Sequence, residues 1–136
     1  MNKNIIVKIS EGLGNQLFMY ANGYATSKNN NFNLFVDPLS GYYKKNVYNY
    51  MLNNFNISAK VAPSDWVFAS EYRNFIKKIK IILDKLNNNK TYLFEFKNRD
   101  KSTYFNLINF KNVNNFLYLD GNFESEQYFI NFRNDL

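Results

Sequence analysis

The strongest constraint on how this chain can fold is a change of hydrophobic period around residue 10. An apolar run, Ile5 to Ile9, leads into the stretch "EGLGNQLFMYA", and from there Leu17, Phe18, Ala21, Tyr24 and Ala25 recur on one helical face. The period is that of a strand, then a tight turn, then a helix. The triplet Asn29 to Asn31 closes the helix, and "FNLFVD" alternates up to Asp37-Pro38 as a second strand. Together these form a βαβ unit of about 34 residues, the span of a right-handed crossover between parallel neighbours. The fold expected is therefore α/β, a Rossmann-like parallel sheet with flanking helices.

Composition supports a folded core and narrows the chemistry. With 46% apolar residues, 14 Phe and 11 Tyr among 136, the chain can bury a core without staples. Cysteine and histidine are absent, which removes disulfides, thiolate nucleophiles, imidazole bases and nearly all zinc or haem ligation. Any acid or base must be Asp, Glu, Tyr or Lys. The longest apolar stretches, Ile5 to Val7 and Ile79 to Leu83, fall far short of the roughly 20 residues that cross a bilayer. Met1 to Lys8 lacks the long apolar core and cleavage site of a secretory signal, so the expected location is the cytoplasm, with at most peripheral contact with the inner membrane.

The net charge of +6 suits an anionic partner but is spread along the chain. Its densest cluster is "KKIKIILDK", where Tyr72, Phe75, Ile76, Ile79, Leu83 and Leu86 share a helix face and Lys77, Lys78, Lys80 and Lys85 are expected on the wet side. Tyr and Phe interleaved with Lys could stack bases, yet most of these aromatics fall at core spacing, so no nucleic-acid partner is expected. Punctuation at Ala62 to Asp65 predicts a helix start, with the basic helix ending near Asn87. "TYLFEF" and "FLYLD" read as a third and a fourth strand, with a short helical or extended piece around Tyr104 to Phe110 between them. Residues 39–64 carry a weak pattern compatible with helix, strand or packed loop. "SEQYFINFRNDL" opens a last helix that the sequence does not complete, an unfinished alternation expected of a truncated, larger protein.

A glycine turn between a parallel strand and a helix is an anion site, because the first helical amides are free and the helix dipole is positive there. Gly12, Gly14 and an acid at Asp37 match the dinucleotide fingerprint, so a nicotinamide or flavin nucleotide-binding Rossmann domain is the alternative reading. Leu17 stands at the third glycine, where its bulk is expected to hold the helix off the strand or to displace the dinucleotide. No Gly-Lys-Ser/Thr follows, which excludes a triphosphate loop. Asn15 and Gln16 add carboxamides that can offer donors and acceptors to a sugar or phosphate, although Asn15 could equally be a helix cap.

The segment "KISEGLGNQLFMYANGYA" closely resembles the N-terminal motif of the bacterial α-1,2-fucosyltransferases of glycosyltransferase family 11, a strand followed by Gly-Gly-Leu-Gly-Asn-Gln-Leu-Phe and then Tyr-Ala. "YLDGNFESEQYF" at 118–129 is similar to a second block of that family, in the correct order, and "LFVDPLSGYY" and "YMLNNFNI" to blocks between them. The resemblance implies the N-terminal half of a GT-B-like two-domain enzyme, metal-independent and inverting, that transfers L-fucose from GDP-fucose to the 2-hydroxyl of a galactose-type acceptor. Residues 1–136 would be the acceptor-side domain, with the donor-binding domain and the family's His-x-Arg motif absent, and so inactive alone. Gly12, Leu13, Gly14, Asn15 and Gln16 would face the donor's phosphates and sugar. Glu11 replaces the motif's first glycine, and Asn122, Phe123 and Glu124 replace Tyr, Trp and Gln. Glu124 is a candidate general base for the acceptor hydroxyl, though a carboxylate at a strand-to-helix junction is more commonly a dipole partner or cap.

Overall fold

A computed structural model describes residues 3–44, 47–89, 91–95, 113 and 115–136. Strand β1 (Asn4–Lys8) is followed by helix α1 (Leu13–Asn30) and strand β2 (Asn33–Asp37), as the change of period predicts. A two-residue strand β3 (Lys60–Val61), helix α2 (Glu71–Leu86), β4 (Tyr92–Phe94) and β5 (Phe116–Asp120) complete the regular elements. All pairings are parallel, and the strands lie in the order β3-β2-β1-β5-β4. The α/β, Rossmann-like fold expected from the sequence is the one present.

β1 is the centre of the sheet, with Ile5 opposite Leu34 on one side and Leu117 on the other. Because successive side chains alternate, β1 feeds two cores. Ile5 and Val7 join Met19, Tyr20, Tyr24, Leu34, Val36, Leu117 and Leu119 under α1. Ile6 points to the opposite face, among Ala62, Val67, Phe68 and Tyr118. A Cβ on Gly23 would lie 2.2 Å from Val7 Cγ2, so this glycine lets α1 sit down on β1. Leu17, by contrast, is exposed and does not hold the helix off. The close helix–strand approach that the dinucleotide fingerprint assigns to its third glycine is supplied six residues later.

Three other expectations need correction. The helix expected from Ala62 begins only at Glu71: a 3₁₀ turn at Ser64–Trp66 and an extended stretch precede it, and the Ser70 side chain caps α2 by accepting from Arg73 N. The last helix is replaced by two 3₁₀ turns, Glu126–Tyr128 and Ile130–Phe132, which lay Phe129 against Phe18 and Phe132 against Tyr24. Most far-reaching, α2 is inside out relative to its pattern. Lys77 is buried, while Tyr72, Phe75, Ile79, Ile82, Leu83 and Leu86 are exposed. The piece expected around Tyr104 to Phe110 lies outside the described residues. Among the described residues no helix is long and apolar enough to cross a membrane.

Candidate functional site

The order β2-β1-β5 creates a topological switch point: the chain leaves β1 for β2 on one side, and β5 arrives on the other. In parallel sheets ligands bind outside the carboxyl ends of the strands at such a point. A cleft of about 320 Å³ lies there, lined by Lys8, Ser10 and Glu11 after β1, Ser40 and Gly41 after β2, Asp120 at the end of β5, and Asn74 and Lys77 of α2. Clefts of about 290 and 300 Å³ open among residues that begin the strands, Thr91 and Asn115 in one case and Asn33 and Lys60 in the other. Size does not distinguish the three, but strand polarity does.

The cleft is built around one carboxylate. Asp120 Oδ1 lies 2.9 Å from Lys8 Nζ and Oδ2 lies 2.9 Å from Lys77 Nζ. Burial alone would raise the Asp120 pKa, but the two ammonium groups outweigh it and the net shift is downward. Lys77 is pushed the other way: burial lowers its pKa, and Asp120 offsets only part of that. Its ammonium lies over the rings of Tyr118 at 4.7 Å and of Phe68 and Phe94 at 5.2 Å, an aromatic cage that stabilises a cation withdrawn from water. Lys44, also lining the cleft, pairs at 2.7 Å with the exposed Glu71.

A second buried network holds the cleft wall. Asp37 accepts from the backbone of Leu39 and Ser40, from the Ser40 hydroxyl, and from Tyr118 Oη at 2.6 Å. Ser40 Oγ in turn accepts from Phe68 N at 2.7 Å, which ties the segment before α2 to the end of β2. Burial, and then the Asp37 charge, raise the Tyr118 pKa well above the ordinary value, so the phenol stays a donor. Asp37 is wholly buried, and a ribose hydroxyl cannot reach it. The acid that matched the dinucleotide fingerprint is thus committed to the fold.

The predicted loop residues divide sharply. Gly12 is the N-cap of α1 with no side-chain cap, and no acidic residue lies in the first turn. The amides of Leu13, Gly14 and Asn15 find no acceptor among the described residues. Gly14 is exposed, and a Cβ placed on it would meet no described residue within 4 Å. Leu13 and Asn15 are half-buried, and the Asn15 carboxamide bonds to no described residue. Gln16 is different: it is fully buried, Nε2 donating to Glu11 O and Asn49 O, and Oε1 accepting from Met51 N at 2.9 Å. It pins residues 49–51 beneath the turn and cannot touch a ligand, which corrects its assignment as a donor contact. Glu124 is exposed, accepts from Asn122 Nδ2 at 3.0 Å, and lies outside the lining of the cleft.

Neither glycine of the turn has a positive φ. Glu11 does, at 61°, and so does Phe123, at 52°. Both stand just past the ends of the two strands that meet at the switch point, and non-glycine residues pay for that conformation in steric energy. Position 11 is where a glycine would be at ease, and here it carries a carboxylate that lines the cleft. Lys8, Lys77 and Asp120 carry no site signal in the sequence: the periodicity puts Lys77 on a wet face, and nothing in one dimension brings Lys8 to Asp120. Among the described residues no group of three or more carboxylates converges as a metal-ion site.

Comparison of the chain with protein-family models, with curated proteins and with solved structures gave no match.

Proposed function

We propose that this chain is the acceptor-side α/β domain of an inverting, metal-independent α-1,2-fucosyltransferase that takes GDP-fucose and a galactoside. One observation carries the reading. The two blocks that resemble the fucosyltransferase family, "KISEGLGNQLF" and "YLDGNFESE", lie over a hundred residues apart, yet both line the same cleft, and the Lys8–Asp120 ion pair joins them. Random resemblance in two segments would not be expected to converge on the carboxyl ends of adjacent parallel strands.

The chemistry follows from what is free in the cleft. In the reaction the acceptor 2-hydroxyl oxygen attacks the anomeric carbon of fucose from the face opposite GDP, the bond to the diphosphate breaks, and the hydroxyl proton passes to a base. Asp120, kept ionised by two ammonium groups, is a poor base; Asp37 is sealed; Glu124 is outside the cleft. Glu11 is the carboxylate of the cleft left to accept the proton; the open amides of Leu13, Gly14 and Asn15 lie outside the cleft's lining, so the donor would extend from the cleft over the start of α1 to bring its leaving diphosphate to them. Lys8 and Asp120 offer a paired donor and acceptor for sugar hydroxyls. A cytoplasmic location goes with this reading.

The nucleotide-binding alternative is weaker on two counts, the committed Asp37 and the displaced third glycine. Titration of isotope-labelled protein with GDP-fucose, with lactose and with NADH, followed by amide NMR, separates them. Shifts at residues 8–15 and 120 with lactose, weak ones at most with GDP-fucose, and none with NADH, are expected of an acceptor-side domain by itself. Silence toward lactose, or the same shifts with NADH, would reject the proposal.

A further inference from the structure

The face of α2 that the fold leaves uncovered has the chemistry of a helix that lies in a membrane interface. Phe75, Ile82 and Leu86 are 61%, 60% and 77% exposed, and with Tyr72, Ile79 and Leu83 they form a continuous stripe along the whole helix. At 100° per residue this stripe lies opposite Lys77, the residue that enters the cleft. Lys80 borders it on one side and Lys78 and Lys85 on the other, all three exposed, and none pairs with a described acidic residue.

That arrangement decides the occupant. Among the described residues the sheet is not that occupant, because α2 docks on it through its other face: Lys77 on Asp120, and Asn74 Nδ2 within 2.6 Å of Phe68 O. A second copy would set lysine edges against lysine edges with no acid on the helix rim to relieve them, since Asp84 is half-buried and Glu71 is held by Lys44. An anionic bilayer satisfies both parts at once. The apolar stripe enters the acyl boundary, and the lysines on its two edges extend to the negatively charged headgroups.

We infer that α2 is an interfacial anchor that docks this domain on an anionic lipid surface, apolar stripe down, with the cleft held about one helix diameter, roughly 10 Å, above it. The inference is independent of the fucosyl-transfer reading.

The test is flotation of the purified chain with vesicles of phosphatidylcholine alone and of phosphatidylcholine mixed with equal parts phosphatidylglycerol. Co-flotation with the mixed vesicles only is expected, reduced at least tenfold by Ile82→Asp and by Lys78→Glu with Lys85→Glu, with the circular dichroism of both variants unchanged. No flotation, equal flotation with neutral vesicles, or flotation untouched by either variant would overturn the assignment. So would a concentration-dependent dimer that Ile82→Asp dissociates in the absence of vesicle binding.

Discussion

Lys77 Nζ and Asp120 Oδ2 lie 2.9 Å apart, and this pair fixes α2 against the end of β5 across 43 positions of sequence. The pair is partly buried, so the two directions of breaking it are not equivalent. Asp120→Asn leaves Lys8 and Lys77 facing each other, one of them inside an aromatic cage without a counter-charge, and is expected to cost about 3 kcal/mol. Lys77→Met keeps the packing and leaves Asp120 its other ammonium, so it should cost clearly less. Urea unfolding of both variants checks the order, and equal losses would argue against the asymmetry.

Glu11 occupies a left-handed conformation at φ 61°. Glu11→Gly relieves that strain and should stabilise the chain by about 1 kcal/mol. The same change removes the proposed base, so the enzyme containing this domain should become more stable and at least a hundredfold slower. Glu11→Gln should show the loss of rate without the gain in stability. A fully active Glu11→Gln enzyme would remove Glu11 from the mechanism.

Gly23 and Gly14 lie on the same helix and should respond oppositely to alanine. At Gly23 the new Cβ meets Val7 at 2.2 Å and Leu34 at 3.2 Å, an overpacking expected to cost about 2 kcal/mol. At Gly14 the site is open, and alanine should stabilise the helix by up to about 1 kcal/mol. Thermal melts of the two single variants give the comparison directly.

Asn15 and Gln16 are adjacent carboxamides with different fates. Gln16→Ala strands Asn49 O and Met51 N without partners and should destabilise by about 2 kcal/mol. Asn15→Ala breaks no bond to a described residue, should leave the melting temperature nearly unchanged, and should lower turnover of the enzyme containing this domain at least tenfold. Unchanged kinetics in Asn15→Ala would end its proposed role.

Tyr92 provides the pH signature. Burial, and secondarily the Asp84 charge, raise its pKa to about 12, and its hydroxyl, like Asp84 Oδ2, is buried without a hydrogen-bond partner among the described residues. A phenol whose pKa is higher in the folded state contributes stability that is fully present below the unfolded value of about 10 and is lost as pH rises toward 12. Tyr92→Phe should therefore be neutral or slightly stabilising at pH 7 and should flatten the fall in stability above pH 10. Tyr42, raised to about 12 chiefly by burial, leaves part of that fall in place. An unaltered alkaline limb in Tyr92→Phe would contradict this account.

The sequence by itself determined the β1-α1-β2 unit and the α/β class, because a switch from a strand period to a helical one across a glycine turn is a local property that any tertiary context must accommodate. The ends of β1 and β5 were also legible as strand ends, though not the pairing of Lys8 with Asp120 that joins them. Only the tertiary structure decided which face of α2 is covered. Periodicity defines a stripe but not its direction, and here Asp120, the aromatic rings and the capped start at Ser70 turn Lys77 inward, leaving the apolar side out. The same limit separates Asn15 from Gln16. One step of 100° along the helix carries an identical functional group from the half-buried surface of the turn to the interior, and no reading of neighbours in one dimension contains that rotation until residues 49–51 arrive to meet it.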